Sequence, residues 1–297
     1  GIFYSDKIGE KVKIGFNYTN NQSSLTAKSD RNLQYLLRDT SFTVEERNTS
    51  VQESQDHLLN ARIEIQLDTA TTLEILPSYS ISNSSNNDTL KNSFFADNDT
   101  NANSKSIVNQ DHDSKSYNFK TEIRLKREFQ KKDRLLKYAL VYSEFENDET
   151  QRNYTENEYY FNTAINDTID QKQKFVSAST NYKSQLLFRE PLSKKWSIDL
   201  EHLYKINMGN QERNTFNKNL FSEDYNIQDE QYSNSFNNIK STNRAGFFSV
   251  YRYKRDRLKI GGYVRNVQLR SFDEFNNPLT DSLNFWDLLP QINYRHK

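Results

Sequence analysis

Few residues in this chain are of a type and spacing that could do chemistry. Four histidines, His57, His112, His202 and His296, could ligate a metal, but no two share a metal-ligand spacing, so they read better as solvated or interfacial side chains. Asp97-Asn98-Asp99, with Asn101 and Asn103, presents spaced oxygen ligands for Ca²⁺. A calcium loop also needs a glycine turn and a closing acidic residue, and this segment has neither, so a solvated Asn-rich loop is the better reading. Asn-X-Ser/Thr triplets, such as those starting at Asn48, Asn98, Asn153 and Asn166, are chance matches in so Asn-rich a chain. No Ser/His/Asp arrangement, Gly-rich phosphate loop or partnered carboxylate pair stands out. The sequence therefore names no catalytic residue, no cofactor and no metal site.

Aromatic residues are the remaining candidates. Tyr159 and Tyr160, with Tyr154 and Phe161, crowd one polar stretch, and Phe216 and Tyr225, with Phe221 and Tyr232, crowd another. Exposed rings among polar residues stack on sugars or on a partner protein, and they also pack extended strands against one another. Both readings stand at this point. Tyr159, Tyr160, Phe216 and Tyr225 are the candidate ligand contacts.

The elements that would position these residues are strands. Apolar residues recur at every second position, the signature of a pleated strand with two unlike faces. Val12, Ile14, Phe16 and Tyr18 do so, as do Leu59 to Leu67, Leu73 to Ile81, Tyr117 to Leu125, Leu136 to Tyr142, Tyr182 to Phe188, Trp196 to Tyr204, Ala245 to Tyr253, Leu258 to Ile260 and Leu289 to Tyr294. This gives about ten strands. The segments after Leu258 and at Leu289 break phase once each, which a bulge would explain. The alternate positions carry charge, and Arg62 and Glu64 are expected to pair with Glu122 and Arg124 from other strands once a register is set.

Connection lengths separate the architectures. Short turns at Asp68–Thr71, Gln130–Arg134, Glu190–Lys195 and Lys254–Arg257 alternate with long stretches at Asn20–His57, Asn83–Lys115, Asn147–Phe175, Met208–Ser241 and Ser271–Phe285. An antiparallel up-and-down sheet puts all the short turns at one end and all the long connections at the other. That is the pattern of bacterial outer-membrane barrels, with tight periplasmic turns and long extracellular loops. Loops above about 12–15 residues are uncommon in compact domains.

Composition agrees. Hydrophobic residues make up 34% of 297, yet aromatics reach 13%. The mean hydropathy of -0.97 would suit a disordered chain, but disordered chains are poor in aromatics. A barrel needs apolar side chains only on its lipid face and so reconciles the two values. Forty basic residues balance forty acidic ones, leaving no case for a nucleic-acid partner. With no cysteine, thiol and disulfide chemistry are excluded. No apolar run reaches the roughly 18 residues of a membrane helix. Gly1-Ile2-Phe3-Tyr4 lacks the basic start and apolar core of a signal peptide, so an exported protein would be represented here by a mature or excised piece.

The segments LNARIEIQLDTATTLEILPSYSIS (Leu59–Ser82), FREPLSKKWSIDLEH (Phe188–His202), NRAGFFSVYRYKRDRLKIGG (Asn243–Gly262) and NFWDLLPQINYRHK (Asn284–Lys297), with the Asn/Ser/Asp-rich stretch from Ser82 to Asn103, resemble the outer-membrane β-barrel domain of TonB-dependent-receptor-like proteins of Gram-negative bacteria. The resemblance spans nearly the whole chain. It implies an all-β, antiparallel up-and-down transmembrane barrel, or a contiguous part of a larger one, forming one segment over residues 1–297 without plug or signal peptide. It further implies a location in the outer membrane with lipid around the wall, a plug domain and TonB-type energy coupling in the full-length protein, a surface lipoprotein as a further partner, and uptake rather than catalysis. On that reading Ile14, Ile63, Ile75, Ile123, Leu140 and Leu200 face lipid. Tyr18, Tyr79, Tyr142, Trp196, Tyr251 and Tyr294, near strand ends, form an aromatic girdle at the membrane interfaces. Alternation alone fits a soluble or surface-attached all-β module binding carbohydrate or protein, with these aromatics in a sandwich core. A barrel enzyme is the other rival.

Overall fold

A computed structural model describes residues 1–38, 40–96, 101–161, 166–219, 221–273 and 281–296. These residues form one antiparallel sheet of twelve strands and contain no helix. The strands are β1 (Ile2–Ile8), β2 (Val12–Leu36), β3 (Ser41–Gln66), β4 (Thr71–Ala96), β5 (Ser104–Glu128), β6 (Leu135–Tyr159), β7 (Asp167–Pro191), β8 (Trp196–Lys218), β9 (Tyr225–Gln228), β10 (Asn234–Tyr253), β11 (Asp256–Asp273) and β12 (Asp281–His296). Neighbours in sequence are neighbours in space, except that the short β9 hangs on β8, which otherwise pairs with β10. Among the described residues β1 pairs only with β2 and β12 only with β11, so the sheet has two free edges.

Twelve strands replace the ten read from alternation. β1 gives no clear alternation because Asp6 interrupts its one apolar row of Ile2, Tyr4 and Ile8. β9 is four residues long and has no pattern to read. The long connections are present, but most of their length continues the ladder. β2 to β7 are each 25 or 26 residues long. Their far halves carry polar residues on both faces and are held by cross-strand hydroxyls and amides: Ser23 Oγ to Ser54 Oγ (2.8 Å), Thr89 Oγ1 to Asn109 Oδ1 (3.0 Å) and Ser114 Oγ to Asn147 Oδ1 (2.8 Å).

The tight ends are built by turn chemistry. Gly9 takes a φ of 62°, which a glycine adopts without steric cost. At Leu67–Ala70, Asp68 Oδ1 accepts the Ala70 amide at 2.7 Å and Oδ2 accepts the Thr71 hydroxyl at 3.0 Å, an Asx turn that fixes the β3–β4 reversal. Those bonds hold the Asp68 carboxyl below the ordinary carboxylate range, the Ala70 amide contributing most.

Register is continuous over most of the sheet. Pro77 has no N–H to donate, and the β3–β4 pairing steps over it, from Asn60↔Ser78 to Ile63↔Ile75, without slipping. Pro290 sits on the edge strand β12, where a proline is tolerated. The phase breaks expected near Leu258 and Leu289 are absent. β11 keeps Leu258, Ile260 and Val264 on one face, and β12 keeps Trp286, Leu288, Ile292 and Tyr294 in line with them, while Leu289 faces the other way. Among the described residues a register shift lies between Asn217 and Lys218, where β9 joins β8.

Candidate functional site

The two faces of the sheet differ, and each is different at its two ends. On one face, the turn-side half of each long strand from β2 to β12 carries a mostly apolar row. Ile14, Ile63, Ile75, Ile123 and Leu140 stand directly opposite one another across five strands, Ile14↔Ile63, Ile63↔Ile75, Ile75↔Ile123 and Ile123↔Leu140. Leu200 lies on the same face between Phe188 and Phe247. No second sheet covers this face among the described residues. Leu200 is 46% exposed, Phe247 55% and Ile292 74%. Beyond about the tenth residue from the turns the same face becomes polar, through Gln22, Gln55, Asn83 and Lys115.

Aromatics border the apolar band on both sides. At its far boundary Tyr18, Tyr79 and Tyr142 share the face. Tyr18 Oη lies 2.7 Å from His57 Nδ1, and the Tyr142 ring lies 5.0 Å from Tyr182 and 6.0 Å from Phe119. At the turn side the Trp196 ring packs tilted against Tyr251, 4.8 Å between centroids, and Tyr294 donates to Asp256 at 2.7 Å. Tyr182 and Phe119 belong to the far border as well, and alternation alone does not single them out. Their place depends on the register, which alternation alone does not give.

The opposite face is charged and concave. One cavity of about 570 Å³ runs across it from β3 to β11, with Glu74, Arg124, Lys137, Glu201, Arg244 and Tyr263 on its wall. The expected link between Arg62/Glu64 and Glu122/Arg124 exists, but it runs through Glu74. Lys13 Nζ meets Glu64 at 3.0 Å, Arg62 joins Glu64 (3.3 Å) to Glu74 (2.5 Å), and Arg124 joins Glu74 (3.6 Å) to Glu122 (2.7 Å). Four strands are tied together by this chain of alternating charge. Further round, Arg189 grips Asp199 by two hydrogen bonds (2.6 and 2.7 Å), with Asp199 1% exposed. Glu201 accepts from Lys259 (2.6 Å) and from the Tyr263 hydroxyl (2.7 Å), and Arg265 pairs with Asp287. The Tyr263 ring lies against Gly246, within 2.4 Å of where a Cβ would stand, so an aromatic covers the gap the glycine leaves in the sheet. The buried apolar side chains Phe248, Val250 and Val267 sit on this face at β10 and β11.

The four candidate contact residues fall in two places. Tyr159 ends β6, with its ring 6.2 Å from Phe161, and Tyr160 is half exposed, donating to Glu158 at 3.0 Å. Phe216 stands on β8 opposite Lys172 of β7 and Gln228 of β9, and Tyr225 lies beside Asp170. The Tyr225 hydroxyl donates to Asp170 Oδ1 at 2.6 Å, Arg152 reaches both Asp170 oxygens at 3.3 Å and covers the Tyr225 ring at 5.6 Å, and Lys218 lies 3.7 Å away. Burial and the Asp170 hydrogen bond push the Tyr225 phenol up to about 12. Burial works against the Asp170 charge, but the bonds from Tyr225 and Arg152 outweigh it and leave the carboxyl below its ordinary range. Tyr225 is thus held by its neighbours. Arg152 and Asp170 fall in one of the long connections expected from sequence and Lys218 in another, and the pairing of β6, β7 and β8 brings them together.

A second groove, of about 730 Å³, crosses β2 to β7 in the polar half, where Ser23, Ser54, Ser84 and Ser114 form a row of directly opposed residues ending at Glu149 and Phe175. No three His, Cys, Asp or Glu side chains converge to hold a metal among the described residues. Each histidine meets a polar neighbour: His57 with Tyr18, His112 with Glu149 (3.3 Å), His202 with Asn243 (3.0 Å) and His296 with Asp256 (2.8 Å). Asp97, Asn98 and Asp99, the centre of the calcium reading, lie outside the described residues, as does the sequon they share with Thr100. No protein-family model matches the chain, and no curated protein sequence matches it.

Proposed function

We propose that this chain is the wall, or a contiguous part of the wall, of a TonB-dependent-receptor-like outer-membrane barrel that takes up or binds a ligand at the cell surface, and that it is not an enzyme. The observation that carries this reading is the apolar band. It occupies one face only, covers the turn-side part of every long strand, is bordered by aromatics, and is uncovered by protein. On β4 it runs from Leu73 to Ile81, about eight steps of roughly 3.4 Å. Tilted by about 40°, that length spans roughly 21 Å along a membrane normal, near the roughly 25 Å apolar band of outer-membrane barrels. Hydrocarbon offers backbone groups no hydrogen-bond partner, so a spanning sheet must close. Pairing of the β1 and β12 edges, with each other or with further strands, meets that need.

In this reading lipid meets Ile14, Ile63, Ile75, Ile123, Leu140 and Leu200. The charged concave face lines a lumen able to hold water or a plug domain, and the polar far halves of the strands stand outside the cell, within reach of ligand or a surface lipoprotein. TonB-type coupling belongs to the full-length protein. Refolding from urea with and without detergent micelles tests the proposal. A β-rich circular dichroism spectrum that requires micelles, with a mobility shift between unheated and boiled samples, supports it. A monodisperse β-rich protein in plain buffer overturns it in favour of a soluble carbohydrate- or protein-binding module.

A further inference from the structure

At the turn-side end of the concave face, Arg252 of β10, Arg257 of β11 and Arg295 of β12 stand directly opposite one another, Arg252↔Arg257 and Arg257↔Arg295. Like charges directly opposed across a ladder destabilise it. None of the three side chains is in an ion pair among the described residues, and Arg257 Nε is shielded from solvent without a hydrogen-bond partner. The neighbouring charges do not compensate. Arg252 lies in the field of Arg189 and Arg257, both positive, against Asp199 and Asp133. Asp199 is already taken by two bonds from Arg189. Asp256, on the other face, takes Tyr294 and His296.

We infer that this arginine row is a docking surface for an acidic polypeptide segment entering the turn-side mouth of the sheet. A guanidinium presents a planar fork of donors that carboxylates fit two bonds at a time. The row crosses three strands and is about 10 Å long, more than one phosphate fills, and it suits several carboxylates carried on one extended backbone. A lipid surface is the poorer occupant. The apolar face at this same end carries Trp196, Tyr251, Tyr253 and Tyr294, so headgroups would meet that face while the arginines point to the other. The inference depends on the concave face alone and stands whether or not the opposite face meets lipid.

The test is fluorescence anisotropy of the folded chain with a short labelled peptide of alternating Glu and Ser, beside the same peptide with Gln in place of Glu. The acidic peptide should bind, the Gln peptide should not, and affinity should fall with added salt. Arg252→Gln/Arg257→Gln should weaken binding about tenfold or more, while Lys183→Gln/Lys205→Gln, a cation pair elsewhere on the same face, should leave it within about twofold. Equal binding of both peptides, or unchanged affinity in the arginine variant, overturns the inference. So does displacement of the peptide by an equal concentration of inorganic phosphate, which marks a small-anion site. If the double variant does not fold, Arg257→Gln alone decides, with a loss of about threefold or more in support and no loss against. A chain that folds without micelles and still binds the acidic peptide would overturn the membrane reading and leave this one standing.

Discussion

Replacing Ile63 by arginine puts the lipid-face assignment at greatest risk. On β3 the apolar row runs from Ile65 to Leu59, and Ile63 is about one residue from its centre, flanked by Ile14 on β2 and Ile75 on β4. If that row spans hydrocarbon, an arginine there lies near the midplane, where it costs about 2–4 kcal/mol. Gln55 is on the same strand and the same face, eight positions further from the turn, beyond Leu59 and His57. Gln55→Arg should therefore stay within about 0.5 kcal/mol, as surface changes do. Arg62→Ala, on the opposite face, should also be mild, about 0–1 kcal/mol. Arg62 is 60% exposed, and its partners Glu64 and Glu74 keep Lys13 and Arg124. The assay is urea unfolding of the chain folded into lipid vesicles, followed by the fluorescence of Trp196 and Trp286, both on the apolar face and exposed. Equal costs for Ile63→Arg and Gln55→Arg would refute the reasoning, because position along the strand would then not matter. A cost for Ile63→Arg as large in plain buffer as in vesicles would show that the face packs on protein.

Glu74→Gln should destabilise by about 0.5–1.5 kcal/mol, and more than Glu122→Gln, because Glu74 alone joins the Lys13–Arg62 half of the chain to Arg124; a double-mutant cycle with Arg62→Ala, read by urea titration, checks the coupling. Gly246→Ala should cost about 1–3 kcal/mol, since a Cβ would meet the Tyr263 ring at 2.4 Å and push its hydroxyl off Glu201; a stability unchanged from the parent would show that the ring moves freely. Tyr225 titrates near 12 rather than 10.0, so its bond to Asp170 supports the far end of β8–β9 below about pH 10 and is lost as pH rises through 12. Limited proteolysis of this end should accelerate over that window, and Tyr225→Phe should already be cut faster at neutral pH. Asp170, held below its ordinary range, contributes above that range and loses its contribution as pH falls through its lowered value, so acid should loosen the same site.

The turn-side half of the sheet was legible because its two faces differ. Val12 to Tyr18 or Leu73 to Ile81 announce a strand by contrast between neighbours, and short turns at Asp68 or Gln130 mark where the chain reverses. The far halves read as loop because that contrast vanishes there. In Asn48-Thr49-Ser50-Val51-Gln52-Glu53-Ser54-Gln55-Asp56 both faces are polar, and nothing in hydropathy distinguishes a strand from a solvated connection. What makes it a strand is the partner across the ladder, such as Ser82 donating to Asp56 at 2.5 Å or Ser50 to Asn86 at 3.2 Å, and such pairs are invisible until a register exists. The Asp170 cluster was hidden for the same reason, its members being separated by up to 66 positions between Arg152 and Lys218.

Glu74 shows how register turns a composition into a site. The alternation of Arg62, Glu64, Glu122 and Arg124 announces a charged face, but a charged face in water is worth little, since exposed pairs contribute about 0–1 kcal/mol each. The turn at Asp68 fixes the β3–β4 register, and that register places Glu74 between Arg62 and Arg124, 2.5 and 3.6 Å away. Each ion then serves two partners, so ordering one side chain supports two pairs, and the pairs tie β2 to β5 together. The arginine row at β10 to β12 obeys the same rule with the opposite outcome. There the register aligns Arg252, Arg257 and Arg295 and supplies no anion between them. A register that so closely alternates sign across four strands leaves three cations aligned across the last three, and an anion brought by another chain is the element that would complete the pattern.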